Sequence, residues 1–239
     1  MIQTIYWIII GYFLLGALGF FFINRRKPAA EARQSYVKFG VYFLLVNLLF
    51  FSMVMTPVWF DWLAGLIVIG GMAELVFVFK RGGYRQKMFF TIALLVYACL
   101  ALCLLYFSRL EAGLMLFAFL VLSIFDSFSQ ISGQLFGKRK LAPSVSPNKT
   151  MGGFIGGGVT ALLSVFWLRQ LYGADIWDAL ALAAGIMFFA FWGDLAASYF
   201  KRRYGVKDFS KVLPGHGGLL DRFDSLLAGG AWVALVTYF

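Results

Sequence analysis

Charge is what this sequence has least of. Only 13% of its 239 residues are Asp, Glu, Lys or Arg, against about 25% in an average soluble domain. Cysteine is almost absent too. Cys99 and Cys103 stand one helical turn apart inside an apolar run, so neither a disulfide framework nor a cysteine metal site is implied. No internal repeat and no low-complexity tail is visible.

What is present is apolar. Hydrophobic residues make up 62% of the chain and the mean hydropathy is +0.83. Several runs reach roughly 18 residues or more, long enough to cross a bilayer as helices. The expected fold is all-α, a polytopic integral membrane helix bundle. Eight spans fit, at about 2–23, 37–55, 57–79, 88–107, 110–127, 151–170, 176–197 and 219–239. The first lacks a basic start and a small-residue cleavage site, and is expected to be a retained anchor. Pro57 suits the first turn of the third span and predicts a tight antiparallel hairpin with the second.

The basic residues set the direction. Five lie between Asn24 and Lys38, four between Lys80 and Lys87, four between Ser127 and Thr150, and six between Ser198 and Asp224. Only Arg109 and Arg169 fall in the other connections. Basic loops remain cytoplasmic, which places both termini outside. The net charge of +10 is therefore chiefly a topology signal, with contact to anionic headgroups as a second effect. Nucleic acid is not an expected partner. Two cytoplasmic loops, 128–150 and 198–218, are long and rich in polar residues, Gly and Pro, as functional loops are.

Eleven acids are few enough to take singly. Glu31, Asp61, Glu111, Asp175 and Asp178 read as solvated ends, and Asp208 lies among lysines. Glu74 falls inside the third span, where an ionisable group is costly; a structural role with a partner such as Lys80 is the simplest reading. Asp126, Asp194, Asp221 and Asp224 all map to the cytoplasmic boundary. Clustered carboxylates repel and call for a cation, and hard oxygen ligands beside phosphates suit Mg²⁺. Alternatively, Asp221 and Asp224 are helix caps paired with Arg222 and Lys211. Two glycine-flanked helix starts, Lys149 to Gly153 and Gly217 to Gly218, offer amides for anions. Gly156, Gly157 and Gly158 fit helix packing, and the small-residue face from Gly152 to Gly156 would permit a homodimer. Acids, basic side chains and helix starts together form the pattern of a metal, nucleotide and phosphate site.

The stretch "SYFKRRYGVKDFSKVLPGHGGLLDRFD" (198–224) resembles the C-terminal signature of the phosphatidate cytidylyltransferases, or CDP-diacylglycerol synthases. Ser198, Lys201, Arg202, Lys207, Asp208, Pro214, His216, Gly217, Gly218, Asp221, Arg222 and Asp224 fill that signature without a gap. "GDLAAS" (193–198) and "LFGKRKLAPSVSPNKT" (135–150), preceded by Asp126, extend the resemblance over roughly 120–239. The chain departs after Lys149-Thr150, where Met151-Gly152-Gly153 lacks the family's usual glutamate, and "SFSQISGQLFG" is looser than the family's version. A divergent member with a variant lipid preference fits these changes.

The resemblance implies condensation of CTP with phosphatidic acid, giving CDP-diacylglycerol and pyrophosphate. It implies metal ligation by Asp194, Asp221 and Asp224, with Asp126 nearby, and Mg²⁺ as cofactor beside a second metal or a monovalent cation. Ser146, Lys149, Thr150, Ser198, Lys201, Arg202, Lys207, Gly217, Gly218 and Arg222 are the expected substrate-binding residues. Phosphatidate is already anionic and needs no general base, so His216 is expected to shape its loop or bond a phosphate. Residues 1–110 would be N-terminal helices and 111–239 the catalytic region, folded as one domain in a bacterial inner membrane with a cytoplasmic site. The alternatives are a CTP-dependent lipid-alcohol (polyprenol) kinase, and a non-catalytic scaffold or lipid transporter.

Overall fold

A computed structural model describes residues 2–25, 28–213 and 217–238. Among these are eight α-helices: α1 (Ile2–Asn24), α2 (Ala29–Met55), α3 (Pro57–Arg81), α4 (Lys87–Phe107), α5 (Ala112–Phe136), α6 (Met151–Leu168), α7 (Ile176–Arg203) and α8 (Leu220–Tyr238). Six of them, α2 to α7, are long and apolar enough to cross a membrane. α1 is an uncharged helix over the expected first span. α8 carries Asp221, Arg222 and Asp224 in its opening turns, which shortens its apolar length. Its neighbours compensate: α8 packs against α3, α4, α5 and α7, and is buried almost continuously from Ser225 to Ala234.

The α2–α3 hairpin forms as the sequence predicts, with Thr56 between the helices and Pro57 opening α3. The two long loops are shorter than expected. α5 continues to Phe136 and α7 to Arg203, so Ser198, Lys201 and Arg202 sit on helix rather than loop. Between α5 and α6 the chain makes an antiparallel hairpin, β1 (Lys140–Ala142) and β2 (Ser146–Thr150), which hydropathy does not reveal.

α5 and α6 form the most intimate pair. A Cβ at Gly153 would lie 2.6 Å from the Ser129 carbonyl oxygen, and one at Gly157 2.6 Å from that of Phe125. Here α6 meets α5 backbone to backbone, which only glycine allows. The small face from Gly152 to Gly156 is thus used within the chain, not held open for a second copy. Trp59, Trp62, Trp167 and Trp177 are exposed where α3 begins, α6 ends and α7 begins. These ends lie opposite the basic loops, and an indole belt there marks the far membrane interface. Asp61 pairs with Arg109 at 3.3 Å on that side and accepts a hydrogen bond from Ser108.

Candidate functional site

At the basic end, α5, α7, α8 and β2 converge and bring the separate signature segments together. Lys149, at the end of β2, places its Nζ 2.9 Å from Asp194 Oδ2 on α7. The same ammonium donates to the Phe191 carbonyl at 3.2 Å and lies 4.3 Å from the Phe191 ring centroid. Buried Ser198, one turn further along α7, donates to Asp194 Oδ1 at 3.3 Å. Asp126 from α5 and Asp224 from α8 lie within electrostatic reach of Asp194 and of each other. Asp126 is exposed and Asp224 half-buried, and Arg222 acts on Asp126 across the same space. Three carboxylates from three helices therefore face one region, bordered by Lys149 and Arg222.

Asp221 stands apart from that group. Its Oδ1 accepts from Lys201 Nζ at 2.6 Å, in an ion pair whose side chains are 9% and 4% exposed. Its Oδ2 accepts the amides of Phe209 at 2.9 Å and Gly218 at 2.8 Å. Both oxygens are occupied by protein donors. The partner is Lys201, where the capping alternative named Arg222 and Lys211.

At both expected anion sites several amides already have protein acceptors. At the α6 start, Thr150 caps the helix by accepting from the Gly153 amide at 3.1 Å, and the Met151 amide donates to Arg139 O. Thr150 is 4% exposed and so serves the helix. At the α8 start, the amides of Leu219 and Leu220 donate to Glu74 at 2.9 and 2.8 Å. Gly217 adopts φ +84°, a left-handed turn that glycine tolerates, and accepts from the Leu213 amide. Glu74 thus finds its partners in α8 amides and Ser210 rather than in Lys80.

The last turn of α7 sends its three cations three ways. Lys201 goes to Asp221, Arg202 to the Val145 carbonyl at 3.2 Å, and Arg203 to Gln86 Oε1 at 2.6 Å. Lys207 and Asp208 line a separate recess of about 570 Å³ with Phe77, Arg81, Ser210 and Lys211. Ser146 is half-buried in β2, opposite Ala142. His216 and Pro214 lie outside the described residues. One neighbour the sequence does not reveal is Tyr42 of α2, whose hydroxyl is 3.5 Å from Ser127 Oγ and within reach of Asp126. A single tyrosine in an apolar helix carries no signal of such a place.

Gly152, which replaces the family's usual glutamate, has a steric reason to be glycine. A Cβ there would lie 2.9 Å from the Phe136 carbonyl oxygen and 3.2 Å from its carbon.

Comparison with known proteins supports the resemblance. A sequence profile described as the cytidylyltransferase family matches residues 1–239. The chain is 42% identical over 142 residues to a phosphatidate cytidylyltransferase of Staphylococcus saprophyticus, covering 58% of this chain and 54% of that protein. It is 46% identical over 114 residues to a protein of the same name from Staphylococcus haemolyticus, covering 47% and 44%. A third, from Staphylococcus aureus strain COL, is 45% identical over 116 residues, again covering 47% and 44%. The chain spans about half the length of these curated relatives.

Proposed function

The chain belongs to the cytidylyltransferase family, and we propose that it transfers CMP from CTP to phosphatidate, leaving CDP-diacylglycerol in the membrane and releasing pyrophosphate. One observation carries this reading. Signature residues from β2, α7 and α8 meet at one end of the bundle, joined by the Lys149–Asp194 and Lys201–Asp221 pairs.

A phosphate oxygen of phosphatidate attacks the α-phosphorus of CTP, a P–O bond forms, and the bond to the bridging oxygen of pyrophosphate breaks. Such chemistry needs positioning and charge neutralisation more than proton transfer. Lys149 and Arg222 border the carboxylate region and would take phosphate oxygens. Arg202 and Lys207 extend the positive field along the cytoplasmic face. Phosphatidate arrives ionised, so no side chain has to remove a proton.

The carboxylates suit a divalent cation. Asp194 and Asp224, with Asp126 beside them, are mutually repelling unless a cation lies among them. Among the described residues no three such side chains come close enough to hold an ion alone. An ion here would therefore need substrate oxygens as well, the usual manner of Mg²⁺. Bound there, it would neutralise developing charge on the phosphates.

The proposed setting is a bacterial inner membrane, with the site at the cytoplasmic face so that lipid tails remain in the bilayer while the headgroup reaches CTP. The test uses purified protein in mixed micelles with CTP and Mg²⁺, comparing phosphatidate with a lipid alcohol. Pyrophosphate plus a CDP-lipid supports the reading. CDP plus a phosphorylated alcohol would make the protein a kinase. A folded sample without turnover on either acceptor would favour the scaffold.

A further inference from the structure

The loop that carries the signature is closed at its neck by two carboxylates, and one of them comes from the half of the chain outside the signature. Asp221 takes the amides of Phe209 and Gly218. Glu74 of α3 takes the next donors along on both sides: the Ser210 hydroxyl at 2.6 Å, and the Leu219 and Leu220 amides. The two clamps are interleaved, one residue out of step.

The α3 surface is shaped for this contact. Gly70, Gly71 and Glu74 lie on one helical face. A Cβ at Gly71 would lie 2.9 Å from Leu220 Cδ2, and one at Gly70 would strike Leu219. The fit is reciprocal, because a Cβ at Gly218 would lie 2.6 Å from Glu74 Oε2. So a signature glycine lacks a side chain where the α3 carboxylate needs the space. Glu74 is only 6% exposed and accepts three hydrogen bonds, and its charge sits at the positive end of the α8 dipole.

We infer that Glu74 is a positioning residue for the reaction. Through Ser210, Leu219 and Leu220 it holds the two sides of the neck, 209–213 and 217–220, and with them the setting of Asp221, Lys201 and the first turn of α8. That turn also presents Arg222 and Asp224 to the carboxylate region. The kinetic part of this inference rests on the cytidylyltransferase reading; the clamp itself does not.

The experiment uses the full chain in detergent with Glu74→Gln and Glu74→Asp. Glutamine keeps the shape but turns an amide donor towards backbone N–H groups. Amide exchange of the 209–220 segment, read without substrate, is expected to speed up by about tenfold or more in Glu74→Gln, with α5 and α6 unchanged. With CTP and phosphatidate, kcat is expected to fall by about tenfold while KM for CTP changes little. Glu74→Asp, which keeps the charge, is expected to restore part of both.

Unchanged exchange in Glu74→Gln would overturn the clamp. Faster exchange throughout the bundle, with kcat falling in step with the folded fraction, would reduce Glu74 to a stability residue. Faster loop exchange with undiminished kcat would show that the neck positions nothing. If the wild-type chain does not turn over, the reaction reading fails, and the exchange measurement alone decides the clamp.

Discussion

Adjacent glycines on α6 give a stringent test of how the site is held. Gly157 and Gly158 are neighbours on one helix, yet a Cβ at Gly158 meets open space. At Gly157 it would lie 2.6 Å from the Phe125 carbonyl oxygen and 2.8 Å from the Ser129 amide nitrogen, and would strike Ser129 Oγ as well. Backbone cannot swing aside as a side-chain end can, so α6 would have to move off α5. Replacing either glycine with alanine gains about 1 kcal/mol of helix propensity. That gain cancels in the comparison of the two variants, and the difference isolates the packing. Overpacking of this kind costs about 1–3 kcal/mol.

Gly158→Ala should therefore match or exceed the wild type in stability, and Gly157→Ala should fall below Gly158→Ala by about 1–3 kcal/mol. For a chain of this size each kcal/mol moves the midpoint by about 2–4 °C. Thermal unfolding in detergent, followed by tryptophan fluorescence, reads the difference. A second readout follows from the sequence order: α6 begins directly after Lys149 and Thr150, so a displaced α6 disturbs the ammonium that meets Asp194. Gly157→Ala should lose activity as well as stability. Equal midpoints for the two variants, or a higher one for Gly157→Ala, would refute the backbone contact and the reason given for the glycine run.

Other substitutions separate holding from chemistry. Lys201→Met leaves Asp221 buried without its cation and should destabilise the chain by about 3–5 kcal/mol in thermal or denaturant unfolding. Lys149→Ala faces a partner that is 36% exposed, so its stability cost should stay within about 1 kcal/mol. Its kcat should nevertheless fall by about a hundredfold in the micellar assay, through loss of a charge at the phosphates. Thr150→Ala removes the α6 cap and should cost about 1 kcal/mol by the same unfolding measurement. Gly152→Glu, which introduces the family's usual residue, should lower both midpoint and activity, because its Cβ meets the Phe136 backbone.

Much of this was legible in the sequence, because lipid imposes a simple rule. Hydropathy placed the eight helices and the α2–α3 hairpin to within a few residues in most cases. It misjudged the ends on the basic side for a physical reason: outside the bilayer a helix needs no apolar run, so α5 and α7 continue through "SFSQISGQLF" and "SYFKRR" unseen. The hairpin at 140–150 escaped for the same reason. Glu74 is visible as an intramembrane acid, but its donors lie 136 to 146 residues away, beyond what local spacing on α3 reveals. The glycine run announced a close approach without saying to what. Small residues permit a helix of the same chain or of another copy, and only tertiary structure chooses between them.

The acids sort by what neutralises them, and that sorting bears on function more than position does. Asp61 has Arg109 at the far interface, Asp221 has Lys201 and two amides, and Glu74 has Ser210 and the start of α8. Each of these carboxylates has both oxygens engaged by protein donors. Asp194 is intermediate, with one oxygen on Lys149 and the other on Ser198, and it remains about one-third exposed. Among the described residues Asp126 and Asp224 form no ion pair, though both feel Asp194 and each other. Their like charges repel, and Lys149, Arg222 and Lys201 nearby offset that repulsion. The signature acids thus divide by their partners: Asp221 is held by Lys201 and two amides, while Asp126, Asp194 and Asp224 face one region.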